Sequence, residues 1–234
     1  MWEKSSRRTR IKLCEFECLD PAYEASQMDV DALGFHIFKH QDAVEKARRF
    51  ADIFCHLPAS VAKVLLTDVE LDVLLDGIIP LMRCDAIQLY PDWSAKQIAR
   101  LRSQSHAELR ILKVMSAITS ENEFGTDEEF LRHYDDLADA YLLDSNRAGG
   151  TGRVADWQHC AEIVAKARIP VFLAGGLTAE NVGEAIRVVR PFGVDVENGV
   201  SDRIPDGPLV KNMAKCRRFV AAVRHADCEL GRTA

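Results

Sequence analysis

The chain has 234 residues, 30 Lys+Arg against 36 Asp+Glu, a formal net charge of -6 and 47% hydrophobic residues, enough to bury a sizeable core. With no basic run beyond Arg7-Arg8 and Arg48-Arg49 it lacks the electrostatic footprint of a nucleic-acid binder. No apolar stretch approaches the ~20 residues that span a bilayer, and the polar start at Trp2-Glu3-Lys4 leads into no secretory apolar region, so a cytoplasmic protein with a small-molecule partner, and neither nucleic acid nor membrane, is expected.

Short β-rich runs alternate with helix-period segments along the whole chain. Arg10 to Cys14 reads as a strand and Pro21 to Met28 as a helix; Asp31 to Phe38 is followed by Asp42 to Phe54, and Val61 to Thr67 by Asp68 to Leu81. Asp85 to Leu89 then precedes Ser94 to Ser103, Leu109 to Met115 precedes Asp127 to Tyr134, and Ala140 to Leu143 precedes Val154 to Ala167. Ile169 to Ala174 with Thr178 to Val189, and Gly193 to Val196 with Leu209 to Arg224, complete the series.

Eight such units at a spacing of roughly thirty residues predict a single-domain (β/α)8 TIM barrel over 10–225, with tails at 1–9 and 226–234. The competing fold, a doubly wound sheet, often carries a Gly-rich loop after its first strand, whereas Cys14-Glu15-Phe16 has no glycine. Seven scattered cysteines with no CxxC pair argue against a disulfide framework or zinc site and for reduced thiols packed as small hydrophobes. Phe130, Leu131 and Tyr134 are read as barrel packing rather than a subunit contact, with a homodimer left open.

In a barrel the functional groups sit at the C-terminal ends of the strands. Glycines cluster at three of those ends: Gly149-Gly150-Thr151-Gly152, Gly175-Gly176 and Gly199. The loops after strands seven and eight are a common phosphate site, so Gly175, Gly176, Asn198 and Gly199 are candidates to hold an anion.

Ile11-Lys12-Leu13-Cys14, Asp31-Ala32-Leu33-Gly34-Phe35, Gln88-Leu89, Leu142-Leu143-Asp144-Ser145, the Gly149 to Gly152 run with Asp156-Trp157, Leu173-Ala174-Gly175-Gly176-Leu177 with Glu180-Asn181-Val182, and Gly193-Val194-Asp195-Val196 with Gly199-Val200 occur in order over nearly the whole chain. Together they resemble the phosphoribosylanthranilate isomerase family. The resemblance implies a barrel, a place in tryptophan biosynthesis, and an Amadori rearrangement of an amino-sugar phosphate that needs one acid, one base and no metal or redox cofactor. Its strand-one base carries over onto Cys14 and its strand-six acid onto Asp144. By the two-residue alternation Lys12 shares a face with Cys14, and a cation there would favour the thiolate.

The sequence departs from the family's pattern around the expected ligand. Glu15 stands where a glycine follows the cysteine, and its carboxylate would raise the thiol's pKa. Phe38-Lys39-His40-Gln41-Asp42 replaces a Ser-Pro-Arg whose arginine recognises the anthranilate carboxylate, leaving Lys39 or His40 as the cation. Gln88-Leu89-Tyr90-Pro91 exchanges an imidazole for the phenol of Tyr90, and Glu197 occupies the place of a phosphate-side hydroxyl. Lys39, His40, Gln88, Tyr90 and Glu197 are therefore the candidate substrate contacts, for an aldose-ketose isomerase acting on an amino-sugar phosphate or related sugar. A barrel epimerase, lyase or aldolase, or a degenerate barrel that binds a metabolite without turnover, remain the alternatives.

Overall fold

The structure, a computed structural model, describes residues 8–39, 42–116, 125–144, 156–204, 207 and 209–232. Eight parallel strands close into a barrel in sequence order: β1 (Arg10–Leu13), β2 (Ala32–Ile37), β3 (Ala62–Thr67), β4 (Ala86–Leu89), β5 (Arg110–Ser116), β6 (Ala140–Asp144), β7 (Val171–Leu173) and β8 (Gly193–Val196), with β8 pairing back onto β1. Their crossovers carry α1 (Leu19–Ser26), α2 (Ala43–His56), α3 (Leu71–Val73), α4 (Ala95–Gln104), α5 (Asp127–Tyr134), α6 (Trp157–Lys166), α7 (Val182–Val189) and, at the end, α8 (Met213–Glu229). Side-chain caps fix several helix starts: Asp42 accepts from the Glu45 amide, Asp156 from those of Gln158 and His159, and Ser94 forms a reciprocal box with Gln97.

Alternation along the strands sorts the core into two layers. Ile11, Leu13, Leu33, Phe35, Leu65, Ile87, Met115 and Leu143 point outward into a continuous apolar shell with the helices, where Phe35 packs edge-on against Phe50 and Phe54. Phe130, Leu131 and Tyr134 of α5 belong to that shell and are buried in it. The inward residues form two groups: Cys14, Ala32, Ala62, Val64, Leu66 and Ala86, mostly small, fill one side of the barrel, and Leu112, Val114, Ala140, Leu142 and Phe172 the other. The barrel interior is thus packed rather than open, and a cavity opens at its C-terminal mouth. Cys14, Cys84, Cys160 and Cys216 are buried thiols, whereas Cys18, Cys55 and Cys228 are exposed, and none is in a disulfide.

The chain departs from the sequence-based elements at three places. After α3 the helix widens into a π-turn over Leu74–Ile78, where the Ile79 amide reaches back to the Leu74 carbonyl. Leu209–Lys211, expected to open the last helix, is instead a strand, β10, paired antiparallel with β9 (Ser201–Arg203). The helix begins only after Asn212, whose side chain accepts from the Lys215 amide, and it continues past Arg224 to Glu229. That last turn is integral: the buried Asp227 carboxylate accepts from the Thr9 amide, from the Thr9 hydroxyl at 2.6 Å and from Arg224, tying the helix to the base of β1.

Candidate active site

One cavity of about 460 Å³ opens at the C-terminal mouth, lined by Cys14, Tyr90 and Asp144, by the loop after β7 and by the segment from Asp195 to Gly199. Cys14 follows β1 directly, and its amide is held by the Val196 carbonyl at 2.8 Å. Asp144 is the last residue of β6 and sits in register with Ser116 of β5. In the closed order β6-β7-β8-β1 the two candidates stand three strands apart on one rim. Room for the thiol comes from Gly34 on the neighbouring strand: a Cβ there would stand 2.6 Å from Cys14 Sγ.

Beneath the thiol lies a buried ionic pair. Lys12 and Asp195 are register partners across β1 and β8, and Lys12 Nζ donates to Asp195 Oδ1 at 2.8 Å and to Cys14 Sγ at 3.2 Å. Burial opposes the ammonium, but Asp195 and then Cys14 more than offset it and hold Lys12 protonated above the ordinary lysine range. The Cys14 thiol moves upward too. Burial is the main cause, Lys12 opposes it, and the carboxylates of Asp195 and Glu197 reinforce it. The resting cysteine is therefore a thiol poised on an ammonium, not a preformed thiolate.

The glycine loops converge as two short segments. Gly175 and Gly176 adopt φ of 92° and 65°, a left-handed turn that glycine accepts without strain. Asn181 pins that turn by donating to the Gly176 carbonyl and accepting from the Thr178 amide. Gly199 begins where the loop after β8 meets this one, so closely that a Cβ would lie 2.0 Å from the Leu177 carbonyl oxygen. Asn198 and Gly199 belong to a single 3-10 turn, Asn198–Val200, behind which Lys211 of β10 donates to the Glu197 carbonyl and to Ser201 Oγ.

Tyr90 and Gln88 occupy the rim at β4, joined by a hydrogen bond from Gln88 Nε2 to the phenol oxygen at 3.1 Å. Burial, reinforced by Cys14, Asp144, Asp195 and Glu197, pushes the phenol well above its usual range, so it stays a neutral donor. Gln88 is buried behind Tyr90 and is not among the cavity's lining residues. Lys39 lies outside the lining as well; its side chain is exposed and its amide donates to Asp68. His40 and the Gly149 to Gly152 run lie outside the described residues. Among the described residues no three His, Cys, Asp or Glu side chains form a metal-ligating group, and no helix is long and apolar enough to cross a membrane.

The family model described as N-(5'phosphoribosyl)anthranilate (PRA) isomerase matches residues 12–222. The chain belongs to this isomerase family. N-(5'-phosphoribosyl)anthranilate isomerase 2 of Methanosarcina mazei is 32% identical over 201 residues, covering 82% of this chain and 86% of that one. The Chromohalobacter salexigens N-(5'-phosphoribosyl)anthranilate isomerase is 34% identical over 225 residues, covering 94% and 97%. Among solved structures, phosphoribosyl anthranilate isomerase from Thermotoga maritima superposes with a TM-score of 0.72 at 26% identity, over 93% of this chain and 99% of that one. A phosphoribosyl anthranilate isomerase in complex with reduced 1-(o-carboxyphenylamino)-1-deoxyribulose 5-phosphate gives 0.71, also at 26% identity, with the same coverage. As a member of this family the chain is an aldose-ketose isomerase, an intramolecular oxidoreductase built on a TIM barrel.

Several cavity features escaped sequence reasoning. Asp195 belongs to a recognisable motif, but its pairing with Lys12 needs the barrel to close, and Lys211 reaches the site only through the β9–β10 hairpin. Glu15, expected to raise the thiol's pKa as its neighbour, is itself pushed up to about 7, by burial first and then by the charge of Glu197.

Proposed function

We propose that this isomerase carries out the Amadori rearrangement of N-(5'-phosphoribosyl)anthranilate, the substrate for which its relatives are named, as a step of tryptophan biosynthesis. Asp144 protonates the furanose ring oxygen, opening the sugar to a Schiff base. Cys14, once its thiol has ionised beside the Lys12 ammonium, then removes the proton at C2, and the resulting enolamine tautomerises to the 1-amino-1-deoxyketose. The observation that carries this reading is the meeting of Cys14, Asp144 and the two glycine loops on one cavity in a chain of this family. Gly175, Gly176, Asn198 and Gly199 hold the phosphate end, and Tyr90, supported by Gln88, donates to the sugar. Lys39 and His40 remain the candidate cations for the aryl carboxylate.

The purified protein should convert N-(5'-phosphoribosyl)anthranilate to its 1-amino-1-deoxyketose, followed by NMR; no product would overturn the assignment. With no arginine in 38–42, this segment offers the carboxylate no bidentate fork. Turnover should therefore discriminate poorly against the aniline analogue that lacks the carboxylate. The ratio of kcat/KM should stay within about tenfold, where a buried charged pair worth ~2–5 kcal/mol would give thirtyfold or more.

Gly34→Ala tests the seat of the base. The added methyl would press on Cys14 Sγ and, at 3.1 Å, on Leu66 Cδ1, displacing the thiol from the cavity wall. A shift of that size should lower kcat by roughly tenfold to a hundredfold. KM should change little, because the glycine loops are untouched.

A further inference from the structure

Strand β5 carries a charge on its apolar side. Leu112 and Val114 point into the barrel and Ile111 and Met115 into the outer shell, and by that alternation Lys113 belongs to the shell, where it is fully buried. Its ammonium lies 5.2 Å from the centre of the Tyr134 ring and 5.9 Å from that of Phe130, both on α5. An ammonium taken out of water needs polar partners at close range. Lys113 meets them on three consecutive residues: the Tyr90 carbonyl at 3.2 Å, the Pro91 carbonyl at 3.1 Å and Asp92 Oδ1 at 2.9 Å. The residue after these is tied to the same place, the Tyr134 hydroxyl donating to the Trp93 carbonyl at 3.4 Å. The segment leading from β4 to α4 is thus wrapped around one buried charge.

That segment carries Tyr90 to the cavity. The Tyr90 side chain packs against both groups of inward residues and stands edge-on to Phe38, with ring centres 5.9 Å apart, and the residue lines the mouth together with Cys14 and Asp144. On the amide side its hold is slight: the Tyr90 amide reaches the Thr67 carbonyl at 3.4 Å, and Pro91 has no N–H to give. The two carbonyls and Asp92 supply a closer hold, and all three meet Lys113.

We infer that Lys113 is a positioning residue: its ammonium, paired with Asp92, fixes the backbone of Tyr90 and so sets where the phenol stands in the cavity. The inference rests on the proposed isomerase reading, in which Tyr90 donates to the sugar, and names the group that holds that donor in place. Lys113 is not among the cavity's lining residues, so its influence passes through Tyr90. A donor displaced by about 1 Å forfeits on the order of 10²-fold in rate.

Lys113→Met alone strands the Asp92 carboxylate and weakens the fold, so the test removes both charges, as Lys113→Met with Asp92→Asn. Turnover of N-(5'-phosphoribosyl)anthranilate is compared in the wild type, in this pair variant, in Tyr90→Phe and in the three substitutions together. The pair variant and Tyr90→Phe should each lower kcat/KM by about tenfold to a hundredfold. With Tyr90→Phe already present, removing the pair should cost less than about threefold, because the hydroxyl it positioned is gone. A pair that only braced the fold would give losses that multiply. The phenol is also followed directly by NMR, with tyrosine labelled at the ring Cζ. The signal that Tyr90→Phe deletes should shift in the pair variant, while that of Tyr23, exposed on α1, should stay. Losses that multiply, a pair variant as active as the wild type, or an unmoved Tyr90 signal would each overturn the inference. Tyr90→Phe without effect removes the donor and the inference together, and leaves standing the isomerase reading, which wild-type product formation judges. Absence of wild-type product removes that reading, and the Tyr90 signal then decides alone whether Lys113 sets the phenol.

Discussion

Cys14→Ser should abolish exchange of deuterium at C2 of a ring-opened substrate analogue, while Asp144→Asn retains it. The two residues serve different steps, and the analogue bypasses the first. A ring-opened compound no longer needs a proton on the furanose oxygen, so the loss of the Asp144 proton does not matter to it; removal of the C2 proton still requires a base. On the intact substrate both variants should lose on the order of 10²–10⁴ in rate, the usual worth of a positioned acid or base. Serine keeps the shape of cysteine but is a far weaker base, so binding should persist in Cys14→Ser as turnover disappears. The pH dependence follows from the resting state. Burial, with Asp195 and Glu197, holds the Cys14 thiol above its ordinary range, so the thiolate fraction, and the exchange rate at saturating analogue, should climb with pH from 6 to 9. Exchange that survives Cys14→Ser would remove Cys14 as the base. A rate that levels off above about pH 7 in the wild type would point instead to Glu15, whose carboxyl burial pushes up to about 7.

Much of this arrangement can be read along the chain because strand periodicity and the barrel are local and repetitive. The outward Leu and Ile residues alternate with inward ones, so eight strands and the facing of Lys12 and Cys14 follow from the pattern alone. Motif order then carries Cys14, Asp144, Gly175, Gly176, Asn198 and Gly199 to one end of the barrel. What stays hidden is non-local or depends on a cap. Leu209, Met213, Cys216 and Val220 continue a helical spacing without a break, so the hairpin strand Leu209–Lys211 looks like the first turn of α8; only Asn212, capping the Lys215 amide, marks the true start. That three-residue difference puts Lys211 into the site. Glu15 is hidden for a related reason: its left-handed backbone is imposed by amide contacts to Val196 and Gly34, far away in sequence. The Lys12–Asp195 pair spans 183 positions and exists only because the last strand returns to the first.

That pair yields the largest effect on stability. Lys12→Met keeps the length of the side chain but leaves Asp195 buried beside Cys14 without its cation, and breaking a buried pair from one side typically costs about 3–5 kcal/mol. Lys12 is fully buried, so solvent cannot take its place. The variant should unfold at markedly lower denaturant, with an unchanged slope. Stability alone does not distinguish a structural lysine from one that tunes the thiol, and a second substitution does. In Lys12→Met with Asp195→Asn neither charge is left buried, so most of the stability should return. The thiol, however, still lacks the ammonium that stood 3.2 Å from Sγ. Two opposing influences on Cys14 are removed together, and Lys12 is the larger of them, so Cys14 should react with iodoacetamide only at higher pH than in the wild type. A double variant that regains stability and shows the wild-type pH profile of alkylation would make Lys12 a purely structural counter-ion. A profile displaced to higher pH in a protein that folds as well as the wild type makes Lys12 the residue that positions and charges the base.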